Sequence, residues 1–107
     1  METTETFEEA LAKFIEVAQE KVTKEREPNT KLLTTVSPVY VRVFARRNND
    51  ERFQEAFCFV EVKTGNVLKA AGWKAPEKKN PRSNIYSPDH GASGISAYGA
   101  VGLRRGY

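Results

Sequence analysis

Two neighbouring runs of alternating residues constrain the fold of this chain most. Residues 38–47 (PVYVRVFARR) and 52–62 (RFQEAFCFVEV) alternate with the period of two that is typical of β-strands. Residues 48–50 (NND) separate the runs and have the composition of a turn. The sequence therefore predicts a β-hairpin at the centre of the chain.

The alternation gives this hairpin two chemically different faces. One face consists of small aliphatic side chains and one thiol: Val39, Val41, Val43, Ala45, Ala56, Cys58, Val60 and Val62. The other face combines arginines with aromatic rings: Tyr40, Arg42, Phe44, Arg46, Phe57 and Phe59. Two interpretations of the second face stay open. We prefer the one in which the rings pack under a helix and the arginines rim the sheet; in the other, the face stacks bases or clamps phosphates.

Residues 1–28 predict an acidic amphipathic helix. Thr6 followed by Glu9 forms a capping box, and Pro28 ends the helix. Its apolar stripe repeats at spacings of three and four: Phe7, Leu11, Phe14, Ile15, Ala18 and Val22. Residues 1–30 contain eight Glu and four Lys or Arg, a net charge of −4. We expect the stripe to face the core and the charges to face water.

The rest of residues 30–71 completes a small antiparallel sheet. Residues 30–36 (TKLLTTV) read as one further strand, and residues 67–71 as another that follows the tight turn at 63–66. The predicted fold class is α+β: one domain over 1–107, in which the helix packs on a sheet of about four strands. Cys58, on the aliphatic face, is expected to be a buried packing residue.

Residues 72–107 form a basic segment rich in Gly, Ser and Pro. Residues 63–82 contain six Lys or Arg and one Glu, and residues 31–107 carry a net charge of +7. Such a long loop is either functional or disordered. Because apolar and aromatic residues are spread along it, we favour an ordered loop lying over the sheet, with 94–103 as a further edge strand.

Binding chemistry is better represented than catalytic chemistry. The single histidine, His90, lies in a turn sequence, and the chain has no P-loop, no nucleophile elbow and no cluster of metal ligands. We therefore expect no enzymatic activity, metal or cofactor. The candidate ligand-binding residues combine cations, stacking rings and one amide: Arg42, Arg46, Lys69, Trp73, Lys74, Arg82, Asn84, Tyr86 and Arg104.

Most of residues 38–105, including the strand sequence FCFV at 57–60, resembles a set of small bacteriophage proteins. Residues 64–76 (TGNVLKAAGWKAP), the basic run to Ile85 and the later residues 97–104 follow the pattern TGxVLKAAxWKAPxKxxRGNI…YGxxYLR. Ser83 and Gly102 depart from it, where the pattern has Gly and Tyr. The resemblance extends to phage sponges that sequester cyclic nucleotide immune signals, as in Thoeris anti-defence. It implies a protein that acts in the cytoplasm of an infected bacterial host.

We therefore predict a protein that captures a phosphate-bearing, nucleotide-like anion without breaking a bond. Two alternatives stay open, namely binding of single-stranded nucleic acid and inhibition of a host protein through the acidic helix. A free sheet edge favours a homo-oligomer. The sequence has no apolar run long enough to span a membrane and no apolar segment typical of a signal peptide.

Overall fold

The computed structural model describes residues 6–26, 28–48, 50–52, 54–77, 81–97 and 99–100. One helix packs on an antiparallel sheet in the order β1-β2-β3-β4-β5, and β6 and β7 form a separate hairpin. This arrangement confirms the predicted α+β fold. The elements are α1 (Phe7–Glu25), β1 (Thr30–Val36), β2 (Tyr40–Arg47), β3 (Gln54–Glu61), β4 (Asn66–Leu68), β5 (Ser83–Asn84), a 3₁₀ turn (Ala92–Gly94), β6 (Ile95–Ser96) and β7 (Gly99–Ala100).

Helix α1 begins at the predicted capping box. The Glu9 amide donates to the Thr6 hydroxyl over 3.1 Å, and the Thr6 amide donates to the Glu9 carboxylate over 2.9 Å. The helix ends at Glu25, where the Arg26 amide still donates to the Val22 carbonyl. Its fully buried side chains lie on the predicted stripe or beside it: Ala10, Phe14, Ala18 and Val22. Local capping and amphipathicity together account for this element.

The helix covers the small aliphatic face of the sheet. Its buried stripe forms one core with Val41, Val43 and Val60. Phe14 supplies the only large ring of the buried stripe, and a large ring from one layer fits the spaces between small side chains of the other. The preferred interpretation of the second face was therefore wrong, because the rings of Phe44 and Phe59 do not lie under the helix.

A β-bulge changes the predicted faces of β3. Val43 pairs with Cys58 but Phe44 pairs with Ala56, so Phe57 is an extra residue on its strand. The bulge turns Phe57 into the core, where its side chain is 2% exposed, and places Ala56 opposite Phe44. The simple alternation assigned Ala56 and Phe57 to the wrong faces because it assumed a continuous period of two.

A side-chain amide from α1 acts as a short partner for β1. The Gln19 side chain donates to the Thr30 carbonyl over 2.9 Å and accepts from the Leu32 amide over 2.8 Å. These are the two bonds that one residue of a neighbouring strand makes. Gln19 thus joins the helix to the start of the edge strand.

The basic segment adds a short fifth strand. Asn66 pairs with Asn84 and Val67 with Ser83, and Ile85 after them is fully buried. The last predicted strand, 67–71, ends at Leu68, because the residues after it bond to the chain that returns at 75–77: the Glu77 amide donates to the Lys69 carbonyl over 2.7 Å and the Ala71 amide to the Ala75 carbonyl over 3.0 Å.

The edge strand predicted at 94–103 does not join the main sheet. Ile95 pairs with Ala100 and Ser96 with Gly99, so β6 and β7 bond to each other, and residues 101–103 lie outside the described residues. The ammonium of Lys21 on α1 donates to the carbonyls of Ala92 and Ile95, over 2.7 and 3.0 Å. Lys21 therefore ties this segment to the helix, while β7 packs against β3 without joining its sheet.

The one helix of the described chain is not apolar enough to cross a bilayer.

Gly65 offers a test of the turn between β3 and β4. Its φ is +78°, and a Cβ built there would lie 2.6 Å from the Tyr86 ring. We expect Gly65→Ala to lower the free energy of unfolding by at least about 1–2 kcal/mol, because an L-residue is strained in this region and the ring must move. Urea denaturation measures the change. Gly72→Ala is the matched control, since nothing lies within 4 Å of the added methyl group; equal losses in both variants would contradict the explanation.

Candidate anion-binding surface

The face of the sheet opposite α1 carries a cluster of aromatic rings. Tyr40 meets Phe59 edge-on at 6.3 Å between ring centroids, and Phe44 meets Trp73 at 5.4 Å. Phe44 and Phe59 are buried, whereas Trp73 is 37% exposed. We call this surface the aromatic face.

Two arginines of β2 lie against these rings. The Arg42 guanidinium carbon lies 4.6 Å from the Trp73 ring centroid, and the Arg42 Nε donates to the Trp73 carbonyl over 2.9 Å. The Arg46 guanidinium lies 5.9 Å from the Phe44 centroid, and its Nε donates to the Gln54 side chain over 2.8 Å. Neither arginine has a carboxylate partner among the residues described. The face therefore holds two oriented guanidinium groups that form no ion pair within the part of the chain that the structure describes.

A small recess opens beside Arg42. Its volume is about 100 Å³, and its lining consists of Thr35, Ser37, Tyr40, Arg42, Phe59 and Lys74. The lining contains two cations, three hydroxyl groups and no carboxylate. At about 30 Å³ for each water molecule, the recess has the volume of roughly three waters. It can take a phosphate group but not a whole nucleotide.

The structure brings together four of the nine predicted site residues, namely Arg42, Arg46, Trp73 and Lys74. Lys69 is exposed, and its carbonyl accepts from the Glu77 amide over 2.7 Å. Tyr86 is 40% exposed, but its ring covers Gly65 and makes no ring contact with Trp73 in the described structure. Tyr86 therefore does not belong to the ring cluster around Trp73. Arg104 lies outside the described residues.

Arg82 and Asn84 bond to the protein itself. The Arg82 side chain is 3% exposed and pairs with Glu77 over 2.9 Å. The Asn84 amide donates to the Thr64 carbonyl and to Asn66, each over 2.9 Å, and accepts from the Tyr86 amide over 2.8 Å. Both side chains shape the basic segment. Nothing in the sequence pattern distinguished a buried cation from an exposed one.

A second basic cavity was missed by the sequence analysis. We call it the arginine cleft; it measures about 310 Å³ and is lined by Arg26, Thr30, Ala45, Arg47, Arg52, Gln54 and Glu55. Its arginines lie at the end of α1 and on both sides of the hairpin turn, so they are distant in sequence. The predicted hairpin could have indicated part of this cleft, because it places residues 47 and 52 side by side.

Carboxylates offset part of the charge in this cleft. Glu55 pairs with Arg26, and Asp50 pairs with Arg52 over 3.0 Å. Hydrogen bonds from the Arg52 side chain and backbone lower the pKa of Asp50. An anion entering the cleft must compete with these acidic groups, which the recess on the aromatic face lacks. The aromatic face is therefore the stronger candidate, although its cavity is smaller.

Reactive side chains in the described chain do not converge on either cavity. No group of three His, Cys, Asp or Glu residues there could hold a metal ion. Cys58 is fully buried, as predicted, and its burial raises the pKa of the thiol, which leaves it a poor nucleophile. The absence of enzymatic activity stays a prediction.

The comparisons with known proteins give a family and no function. The chain belongs to DUF7717, a family of unknown function, whose profile matches residues 1–103. No curated protein and no solved structure matches it significantly.

We expect Arg82 to contribute to the stability of the fold. We expect Arg82→Met to lower the free energy of unfolding by about 2 kcal/mol or more, because the variant removes a buried, ion-paired charge. Lys74→Met, at an exposed position, should change it by less than about 0.5 kcal/mol. Chemical denaturation of both variants measures the difference. A stable Arg82→Met protein would mean that the buried pair does not hold the segment.

Asp89 gives the turn after β5 a pH dependence. Its carboxylate accepts from the Ser87 hydroxyl over 2.6 Å and from the amides of Gly91 and Ser93. These bonds, that from Ser87 first, hold the pKa of Asp89 well below its usual range. The carboxylate therefore contributes stability above its unfolded pKa of about 3.9, and this contribution is lost as the pH falls through the lower folded pKa.

Asp89→Asn tests that contribution. We expect the variant to be less stable than the parent at pH 7, and the difference to shrink as the pH is lowered below about 4. Denaturation curves over a pH series measure it. Glu20→Gln, on the exposed side of α1, serves as the control for the loss of one negative charge. A difference for Asp89→Asn that stays constant with pH would contradict the assignment.

Proposed function

We propose that this member of DUF7717 is a binding protein that captures a phosphate-bearing nucleotide ligand on its aromatic face and does not change it chemically. The observation that carries the proposal is the pair of guanidinium groups, Arg42 and Arg46, held against aromatic rings with no carboxylate partner among the described residues. Ionised donors that are already oriented bind phosphate more strongly than mobile surface charges.

The phosphate occupies the recess beside Arg42. The Nε of Arg42 is used by the Trp73 carbonyl, which leaves the two terminal nitrogens to form a bidentate contact with phosphate oxygens. Lys74 adds a second cation, and Thr35 adds a neutral hydroxyl donor. Because the recess holds only a phosphate-sized group, the rest of the ligand lies outside it.

The base stacks on the surface next to the recess. Trp73 is partly exposed, and the Arg42 guanidinium lies over its ring. Bases stack on aromatic rings and on guanidinium planes alike. This contact distinguishes a nucleotide from inorganic phosphate, which would gain nothing from it.

The finer biological role rests on the resemblance to phage proteins. On this proposal the chain sequesters a cyclic nucleotide immune signal in the cytoplasm of the infected host, in the manner of a sponge. The proposal needs a ligand that is recovered intact, because binding and release are its only steps.

Single-stranded nucleic acid is the second candidate ligand. The spacing of the two arginines along the aromatic face favours it. Arg42 and Arg46 lie on the same strand four residues apart, roughly 13 Å at about 3.3 Å per residue. A strand running along β2 can therefore place different phosphates against the two arginines. Such binding weakens steeply with salt, since each neutralised phosphate releases counterions.

Native mass spectrometry of the purified protein is the first test. A bound nucleotide that is released by heat with unchanged mass supports capture. Calorimetric titration then compares three probes: ATP, cyclic di-AMP and a ten-residue oligothymidylate. Preference for a nucleotide with a shallow salt dependence supports the proposal, and preference for the oligonucleotide with a steep one supports the second candidate.

Charge-removing variants locate the site. We expect Arg42→Gln and Lys74→Gln each to weaken binding by about tenfold or more, since a hydrogen bond between charged groups contributes roughly 1.5–3 kcal/mol. Lys24→Gln removes one positive charge from the exposed side of α1 and should leave the affinity unchanged. Arg47→Gln reports on the arginine cleft instead. Loss of binding in Arg47→Gln, with Arg42→Gln unaffected, would place the anion in the cleft and overturn the proposed site.

A further inference from the structure

Strand β1 lies at one edge of the sheet, and the structure shows which of its residues form hydrogen bonds with β2. The Asn48 amide donates to the Asn29 carbonyl, and the Ser37 amide donates to the Tyr40 carbonyl. These bonds mark the odd-numbered residues from 29 to 37 as those that pair with β2. The backbone groups of the even-numbered residues point away from the sheet.

Only the first half of this outer edge has a partner. Gln19 takes the Thr30 carbonyl and the Leu32 amide. Beyond them, the described residues provide no partner for the Leu32 carbonyl, for both backbone groups of Thr34 or for the Val36 amide. An antiparallel strand laid along this edge would find these groups at the right spacing.

The open half of the edge also lacks the usual protection. Natural edge strands are commonly shielded by charged side chains, prolines or bulges. Residues 32–39 (LLTTVSPV) contain no charge, and Pro38 lies beyond the end of β1. Val36 and Val39 are 72% and 57% exposed, two of the four large apolar side chains exposed in the described chain.

We infer that the occupant of this edge is a second copy of the chain, paired antiparallel about Thr34. In this register the two Thr34 residues exchange two hydrogen bonds, and each Val36 amide donates to the Leu32 carbonyl of the other copy. Each Val36 side chain then lies across from a Leu32, an apolar cross-strand pair. The same groups serve on both sides, which is what a two-fold interface requires.

Gln19 limits the registers that a partner strand can adopt. A partner strand shifted toward Thr30 would compete with the Gln19 amide for the Thr30 carbonyl and the Leu32 amide. Gln19 therefore excludes registers shifted toward Thr30, and among the remaining registers the Thr34-centred one is symmetric about a residue whose two backbone groups are both open. An unrelated peptide could bond to the same backbone groups. A second copy of the chain also places a Val36 side chain opposite each Leu32, which an unrelated peptide need not do.

The pairing would join two aromatic faces. A two-fold axis perpendicular to the sheet keeps equivalent faces on the same side, so both α1 helices lie on one side and both recesses on the other. Thr35, which lines the recess, is adjacent to the axis, and Arg42 pairs with Thr35 on the next strand. At about 4.8 Å between strands and 3.4 Å per residue, the two Arg42 Cα atoms lie roughly 16 Å apart. A ligand with two phosphates then contacts both copies; this last step, unlike the dimer, rests on the proposed function.

The mass of the full-length protein in solution, without ligand, tests the dimer. Sedimentation equilibrium should give twice the chain mass of 12.0 kDa. Thr34→Pro removes the outward amide, and Val36→Lys places a charge in the interface; both should give the monomer mass. Thr34→Val keeps the amide, and Ala12→Lys adds the same charge to the exposed side of α1, so both should stay dimeric. If Thr34→Pro fails to fold by circular dichroism, Val36→Lys decides the matter.

Two results would overturn the inference: a monomeric parent protein, or a dimer that neither variant disrupts. Neither result depends on ligand binding. A confirmed dimer that binds no anionic probe would instead refute the proposed function and leave the dimer standing. Where both hold, Val36→Lys should weaken the affinity for cyclic di-AMP by more than tenfold and leave that for AMP unchanged, because only the two-phosphate probe uses both copies.

Discussion

The choice of the sheet face that receives the helix determines the rest of the structure. Phe14 enters a bed of small side chains, including Val41 and Val43, and this fit leaves the larger rings on the other side. The described chain has no second α-helix that could cover those rings. They are covered instead by the basic segment, which brings Trp73 over Phe44 and next to Arg42. The candidate site is therefore a consequence of core packing.

Local patterns predicted the elements better than their partners. The helix with its cap, the strand at 30–36 and the central hairpin follow from periodicity and turn chemistry, which are properties of short stretches. The bulge at Phe57 and the pairing of Ser83 with Val67 depend on distant segments, and no local signal announces them. The preferred face for α1 was wrong for the same reason, because it depends on how side-chain sizes in two layers match.

The candidate site, like the fold, was predicted from the sequence only where local patterns determine it. Alternation along β2 correctly put Arg42 and Arg46 on one face with aromatic rings, and only tertiary structure brings Trp73 and Lys74 to them. Arg82 belongs to the same basic run as Lys74, yet it is buried against Glu77. Charge density along a sequence shows where cations are available. Burial decides which of them meet solvent or a ligand.

The bonds from Lys21 to the carbonyls of Ala92 and Ile95 have a consequence for the order of folding. They span 71 and 74 residues of sequence, among the longest-range polar contacts in the described chain. Loops of this length are closed late, because the entropy of closure must be overcome before the contact is gained. During synthesis the helix and the hairpin can form early, but the Lys21 ammonium stays hydrated until the chain has been extended past residue 95. The nascent protein thus passes through a stage in which its basic segment is not yet held by the helix.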